Sequence, residues 1–431
     1  MFFGVVLVAT LIFFLIFGTP IAISVGLATI LAMLTAGDIS ALPAITQKMF
    51  TSIDSFPLLA LPLFTLSGEL MEISGISERL VKFLKMCFRK LPSASACITT
   101  IACTFFGAIS GSAPATAAAI GGIMIEPMKE AGYGADDAAA INSSSASLGI
   151  IIPPSIPMVV FATTASVSIG SLFMAGVVPG ILLTVSFCIM HIVRYRKIES
   201  PSVDRLSLKE AVQTFLDAIF ALGMPLIILG GIYGGFFTPT EAAAVSCIYS
   251  LIVGCFIYRT LTLKQIWNSM CEISVRVSSM LTIVCVASAM AWYVSSSGLA
   301  QMISNAVLNG LSSKFMILTA INVLLFILGC LIDPTSIILL TCPIIIPITQ
   351  SLGMSTVAVG AFMIMNIAVG MVTPPVAGTL YISNQIAGEK SIGPMVKKLV
   401  PYIILMFVIT LIVAYFPIIS IALPRALGMT I

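Results

Sequence analysis

Two short stretches of small and polar residues carry most of what this chain could do chemically. The first, Gly107 to Thr116 (GAISGSAPAT), has glycines that allow a sharp turn and expose the amide and carbonyl groups of Ser110, Gly111 and Ser112. The second, Gly329 to Ser336 (GCLIDPTS), sets Asp333 before Pro334, the order expected of a helix N-cap followed by proline at the first helical position. Two further stretches stand beside them: Asn142 to Ser145 ahead of GIIIPPS at 149–155, and Asn366 ahead of GMVTPPV at 370–376. Unwound carbonyls and hydroxyls make hard oxygen sites suited to Na⁺, and the amino ends of half helices offer positive dipole ends to a carboxylate. The candidate Na⁺ ligands are therefore Ser110, Ser112, Asn142, Gly149, Asp333, Asn366, Gly370 and Thr373. The candidate contacts to a carboxylate-bearing ligand are Ser110, Gly111, Ser112, Ser144, Ser145, Pro154, Thr335 and Pro375. For any single hydroxyl the competing reading is close helix packing, which small residues also serve in membranes.

What must position these stretches is written in a repeat. Pro114, Pro127, Gly132, Gly149, Pro153 and Pro154 recur about 220 positions later as Pro334, Pro347, Gly353, Gly370, Pro374 and Pro375. Proline removes a backbone donor and breaks the helical ladder, so such sites are costly in lipid unless buried in protein or lining a cavity. Matched interruptions in two halves point to the binding site of a secondary transporter. The bounds expected are about 56–197 for the first repeat and about 275–421 for the second, within one integral membrane unit over 1–431.

Composition sets the membrane context. Apolar residues make up 59% of the chain and charged ones 9%, with uncharged, mainly apolar runs at 1–18, 218–237 and 403–421. The pattern predicts spans at about 3–35 (kinked at Pro20), 56–73, 135–165 (broken at Pro153), 171–193, 218–234, 240–258, 275–295, 356–385 (broken at Pro374) and 400–420. Re-entrant hairpins are expected at about 93–127 and 315–349. The fold class expected is an all-α polytopic membrane protein. On this layout 17 of the 20 basic residues, Arg205 among them, share one face, and only Lys48, Lys314 and Arg425 lie opposite. The positive-inside rule makes the rich face cytoplasmic and places the amino terminus inside. Five crossings separate the two units, an odd number, so the second is inverted and the two tips should meet near the midplane. The net charge of +3 carries no nucleic-acid signal.

The chemistry excluded is as informative. The ten cysteines are scattered, without a CxxC pair, and read as buried small hydrophobes, not as a disulfide frame or metal cluster. One histidine, His191, is expected at the membrane interface beside Arg194. An enzyme would need an acid, base, metal or nucleophile constellation that is lacking here, and no Walker lysine motif provides for ATP. Asp333 is the acidic residue expected deepest in the membrane, as a Na⁺ ligand, an ion-coupled proton carrier or a plain N-cap. Glu241 in TPTEAAA reads as a scaffold cap. Residues 75–91 and 298–312 read as amphipathic surface helices, the first with a basic face.

The stretches ISGSAPAT (109–116), GIIIPPS (149–155), GGFFTPTEAAAV (234–245), CLIDPTS (330–336) and VTPPV (372–376) resemble the large membrane subunit of the tripartite ATP-independent periplasmic (TRAP) transporters, over essentially the whole chain. The resemblance implies Na⁺-driven import of an organic acid, a C4-dicarboxylate, sugar acid or sialic acid, delivered by a periplasmic substrate-binding protein. It implies a separate small membrane subunit of about four helices, the bacterial inner membrane as location, and no organic cofactor. It also implies an elevator motion of a transport block, about 93–165 and 315–385, against a scaffold of the remaining helices. A binding-protein-independent Na⁺/dicarboxylate symporter would share the repeats and hairpins but would work when reconstituted alone. Pro114 stands where the family often has valine or another small residue.

Overall fold

The protein, described over residues 2–198, 207–311 and 313–431 of a computed structural model, is helical throughout those residues. The first unit is preceded by α1 (Phe2–Ile16), α2 (Ile21–Ala36) and α3 (Leu42–Ile53). It continues through α4 (Ala60–Ile73), α5 (Ile76–Phe88), α6 (Ala94–Ser110), α7 (Ala113–Glu130), α8 (Ala135–Ala146), α9 (Ile156–Ala165) and α10 (Ile169–Tyr195). Then follow α11 (Leu208–Tyr233), α12 (Pro239–Ile252), α13 (Leu263–Ser296), α14 (Leu299–Gly310), α15 (Lys314–Leu331), α16 (Pro334–Ser351), α17 (Thr356–Met371), α18 (Gly378–Ala387), α19 (Gly393–Tyr415) and α20 (Ile418–Ala426). Eight stretches among the described residues are long and apolar enough to cross a membrane. Arg205 and the middle of the polar connection after α10 lie outside the described residues.

Local chemistry starts several of these helices where the sequence places them. Ser207 with Glu210, Thr238 with Glu241 and Thr262 with Gln265 each form a reciprocal capping box at the head of α11, α12 and α13. Glu241 is thus a cap: its carboxylate accepts from the Thr238 amide and hydroxyl at 2.8 Å each. The amphipathic segments form α5 and α14, each entered through a glycine with left-handed backbone, Gly75 and Gly298, after a serine that ends the preceding helix. The repeat therefore extends upstream of the hairpins. Leu80, Val81 and Leu84 of α5 are buried, and α5 packs on α6 and α11, while α14 packs on α16.

The amino-terminal region differs from the single kinked span expected over 3–35. Gly18 adopts φ +73° and closes α1, with the Gly18 and Thr19 amides bonded back to Leu15 and Phe14. The chain reverses there, and α1 and α2 pack side by side. Pro20 begins α2 and does not bend a continuous helix. The segment after α2 forms α3, which packs along α13.

Packing establishes how the two units are disposed. The hairpins α6–α7 and α15–α16 fall within three residues of their expected ends, and α8–α9 and α17–α18 are the two broken helices. The first half of each broken helix lies along the second half of the other: α8 on α18 and α17 on α9. Hairpin α6–α7 packs with α8 and α18, and hairpin α15–α16 with α17 and α9. Ser143 Oγ meets Thr379 Oγ1 at 3.2 Å near the breaks, and Asn142 reaches Ser383 one turn further from them. A parallel pair of units would set first half beside first half; this reciprocal pairing is that of an inverted repeat. Helices α1–α5 and α11–α13 pack mainly among themselves, with α4, α5, α11 and α13 also touching the hairpins, while α14 packs chiefly on α16. An Arg276–Glu69 ion pair of 3.6 Å joins α13 to α4.

Candidate functional site

Each hairpin turns on a tip that is bonded to its own broken helix. In the first, α6 ends at Ser110, Gly111 takes φ +62°, and Ser112 caps α7 by accepting from the Ala115 amide. Ser110 Oγ and Thr116 Oγ1 lie 3.1 Å apart, and Thr116 Oγ1 donates to the Ser112 carbonyl at 2.8 Å. The Gly111 carbonyl accepts from the Ile156 amide at 3.3 Å, joining the tip to α9. In the second, Asp333 caps α16, accepting from the Ser336 amide with one oxygen and from the Ser336 hydroxyl with the other. The Cys330 carbonyl accepts from the Val376 amide at 3.1 Å, the counterpart of the Gly111–Ile156 bond.

Glycines allow tip and break to touch backbone to backbone. A methyl group on Gly107 would sit 2.7 Å from the Gly149 Cα, and one on Gly370 would sit 2.3 Å from the Gly329 carbonyl carbon. One glycine pair per unit thus brings hairpin and broken helix closer than any side chain permits. Two buried side-chain pairs repeat the same logic about two turns back: Thr100 with Ser145 at 2.8 Å in the first unit, and Asn322 with Asn366 in the second.

The two tips and two breaks enclose a common cavity of about 300 Å³. The first residues of four helices line it: Ala113 of α7, Ile156 of α9, Pro334 of α16 and Gly378 of α18. Four positive dipole ends therefore converge on one space. Three of those helices have a side-chain cap, from Ser112, Ser155 and Asp333; α18 follows Ala377 and has none. Met280 of α13 closes one wall, and among the described residues no Lys, Arg or His side chain lines the cavity.

Of the residues singled out by sequence, Gly111, Ser112, Asp333 and Thr335 line this cavity. Ser110 lies behind the first tip, Gly149 and Gly370 lie at the backbone contacts, and the Pro154 carbonyl lies against Gly111. Pro375 is exposed beside the cavity-lining Val376. Thr373 Oγ1 donates to the Val369 carbonyl within the unwound segment. Other residues are not brought there. Asn142 Nδ2 donates to the Ala117 carbonyl and Ser383 Oγ at 2.9 Å each, tying α8 to α7 and α18. Ser144 donates to carbonyls of its own helix, Ser145 faces α6, and Asn366 faces Asn322. The Oδ1 atoms of Asn142 and Asn366 are buried without a hydrogen-bond partner.

His191, expected at the membrane interface, has its side chain inside the protein. Because α10 continues to Tyr195, the imidazole is fully buried, with Nε2 2.8 Å from Thr100 Oγ1 and Nδ1 3.0 Å from the Tyr402 hydroxyl. At the neighbouring end of α10, Asp137 accepts from the Tyr195 hydroxyl at 2.7 Å and from Lys398 at 2.9 Å, with Arg194 at 3.5 Å. The end of the span and Arg194 suggested the interface, but the hydrogen-bond partners of His191 come from α6 and α19.

Comparison with known proteins identifies the family and the fold. The profile of the DctM component of tripartite ATP-independent periplasmic transporters matches residues 8–419. The large permease DctM of a C4-dicarboxylate TRAP transporter from Pseudomonas aeruginosa is 37% identical, over 89% of this chain and 90% of its own. The sialic acid TRAP large permease SiaM of Vibrio cholerae is 32% identical over 95% of both chains. An isethionate TRAP transporter permease, DctMQ of Oleidesulfovibrio alaskensis, is 38% identical over 94% of this chain, which spans 64% of that relative's length. Among solved structures, the YdaH transporter of Alcanivorax borkumensis shares the fold with a TM-score of 0.65 at 14% identity, covering 88% of this chain and 89% of its own. MtrF of Neisseria gonorrhoeae gives 0.60 at 14% identity, covering 89% and 85%.

Proposed function

The chain belongs to the DctM family of tripartite ATP-independent periplasmic transporters, and from that premise we propose that it is the large permease of a Na⁺-driven importer of a small organic acid. The observation that carries this reading is the cavity. It gathers four helix amino ends and two unwound segments but no basic side chain. A helix end contributes about 0.3–1 kcal/mol to holding an anion at a surface and up to about 2 kcal/mol when partly buried. Taking a carboxylate out of water costs several kcal/mol. Dipoles alone therefore leave a diacid undercompensated, and co-bound Na⁺ on the oxygens around Ser110, Ser112, Gly149, Gly370 and Thr373 makes up the difference.

Motion follows from the same packing. The hairpins and broken helices form the transport block, and we add α10 and α19, expected in the scaffold, because both pack against them. The block slides past α4, α5, α13 and α14, with Met280 as the scaffold wall of the cavity. C4-dicarboxylates and sialic acid, which relatives are named for, head the acids to be tried. A periplasmic binding protein delivers the acid. A small membrane subunit completes the permease, and we take it as a second polypeptide because the relatives DctM and SiaM are named as large permeases. In the inner membrane the basic residues of α5 and of the end of α10 face the cytoplasm. The α1–α2 hairpin then returns the start of α1 to the outer side with Lys48, the reverse of the orientation expected from a single span.

Uptake by proteoliposomes holding this chain, its small subunit and a binding protein tests the proposal. Transport should require inward Na⁺, ignore ATP and stop without the binding protein. An undiminished rate with choline replacing Na⁺ at constant membrane potential would refute it.

A further inference from the structure

We propose that His191 is a positioning residue for the first hairpin, acting through Thr100 and Ser145 to set the geometry of the tip; the inference rests on the Na⁺-coupled reading above. Thr100 is on α6, Ser145 on α8, His191 on α10 and Tyr402 on α19, and all four are fully buried. The bonds Tyr402–His191, His191–Thr100 and Thr100–Ser145 measure 3.0, 2.8 and 2.8 Å and form one unbranched chain across four helices. A neutral imidazole has one donor and one acceptor. It therefore relays a hydrogen bond between two hydroxyls in a single sense and fills both partners. Without it, Thr100 and Tyr402 would each lose a buried partner, and Thr100 Oγ1 would be free to turn from Ser145 toward a carbonyl of its own helix.

The consequence reaches the tip because the Thr100–Ser145 bond and the Gly107–Gly149 contact are two points on the same helix pair. Seven residues separate them on α6, about 10.5 Å of helix, and four on the broken helix. Together they fix both the distance and the register between α6 and the unwound segment, and so where Ser110 and Ser112 stand relative to Gly149. The second unit reaches the same end without a relay. There Asn366 Nδ2 donates directly to Asn322 Oδ1 and to the Phe362 carbonyl, and Asn322 Nδ2 is held by the Leu318 carbonyl. The amide pair bonds directly and leaves only Asn366 Oδ1 unpaired, whereas the hydroxyl pair is tied through the histidine to Tyr402. His191 touches no cavity-lining residue through these bonds, so it shapes the site without forming it.

The test is the Na⁺ dependence of uptake in the complete reconstituted transporter. His191→Leu and Thr100→Val should each raise the half-saturating Na⁺ concentration about fivefold, the effect of one buried hydrogen bond, with maximal rate at saturating Na⁺ kept within about twofold. The double variant should shift it no further than the larger single change, within about twofold, because both break one chain. His191→Gln, which keeps a donor and an acceptor, should recover most of the wild-type value. Ser186→Ala, an exposed hydroxyl bonded only to its own helix, should leave it unchanged. If the variants lower only the amount of folded protein or the maximal rate, with half-saturating Na⁺ unmoved, His191 is packing and the proposal fails while the Na⁺ reading stands. A wild type whose uptake ignores Na⁺ overturns both.

Discussion

Replacing Gly370 by alanine tests the backbone contact on which the second half of the site depends. The added Cβ would lie 2.3, 2.4 and 2.6 Å from the carbonyl carbon, Cα and carbonyl oxygen of Gly329. Carbon atoms pack at about 3.5 Å or more, so hairpin and broken helix must part by roughly 1.2 Å. No flexible side chain can give way, because every atom met is main chain. Overpacking of this kind costs about 1–3 kcal/mol, which a bundle of this size survives, but hard-cation sites tolerate only about 0.2 Å in ligand distance. Gly370→Ala should therefore insert and fold, lose several degrees of melting temperature in detergent, and raise the half-saturating Na⁺ for uptake at least about tenfold, the equivalent of 1.4 kcal/mol. Gly122→Ala and Gly230→Ala, where an added Cβ meets nothing within 4 Å, should transport normally and gain up to about 1 kcal/mol from helix propensity. A Gly370→Ala transporter with wild-type rate and wild-type Na⁺ response would refute the argument that this close approach shapes the site.

Three further outcomes follow. Asp333→Asn keeps the cap on α16, since asparagine caps as well as aspartate, so uptake and its Na⁺ dependence should stay near wild type. Asp333→Ala should lose about 1 kcal/mol of stability and much of the transport; a Na⁺ response abolished by Asn as fully as by Ala would instead make the carboxylate a ligand. Thr238→Ala, which breaks the capping box of α12 far from the cavity, should lower thermal stability by about 1 kcal/mol with unchanged Na⁺ half-saturation, read by paired melting and uptake assays. In a background lacking the native cysteines, Ser112→Cys and Thr335→Cys should change accessibility to impermeant thiol reagents in opposite senses as Na⁺ and substrate shift the block. Labelling of both from one side in every condition would rule out alternating exposure of the two tips.

The hairpins and broken helices were legible because their signals are local. Proline and glycine act on their own backbone and on one turn around it, so Pro114, Pro153, Pro334 and Pro374 mark the interruptions without any knowledge of packing. Even the inversion could be read, since it depends only on counting crossings between the units. What failed depends on direction. Whether the chain bends or reverses after Phe17 rests on the backbone angle of Gly18, which the flanking apolar runs do not encode, and a proline nearby invited the wrong reading. Asn142 and Ser145 lie in one polar run, yet helical rotation sends one toward α7 and α18 and the other toward α6. Sequence spacing identified the cluster but not which members face the cavity. His191 was misplaced for a similar reason: its neighbour in sequence, Arg194, belongs at a surface, while its hydrogen-bond partners in space are hydroxyls on two other helices, α6 and α19.

The reciprocal packing of the units supports the proposal that the block moves as one body. Each broken helix is held by both repeats: α8 bonds through Asn142 to α7 of its own unit and to α18 of the other, and Ser143 adds Thr379. Each tip is bonded to its own break, at Gly111–Ile156 and Cys330–Val376, and the first break packs on α6 and α7 of its own unit and on α17 of the other. Shifting one hairpin by several ångströms against the other would strand these buried donors, at about 1–3 kcal/mol for each group left unpaired. By contrast, the contacts of the block with α4, α5, α13 and α14 include extensive apolar faces, such as the buried side of α5, that can slide without losing directional bonds. The softer boundary therefore runs between block and scaffold and not between the two repeats, which favours alternating access by displacement of the whole cavity over opening of its halves.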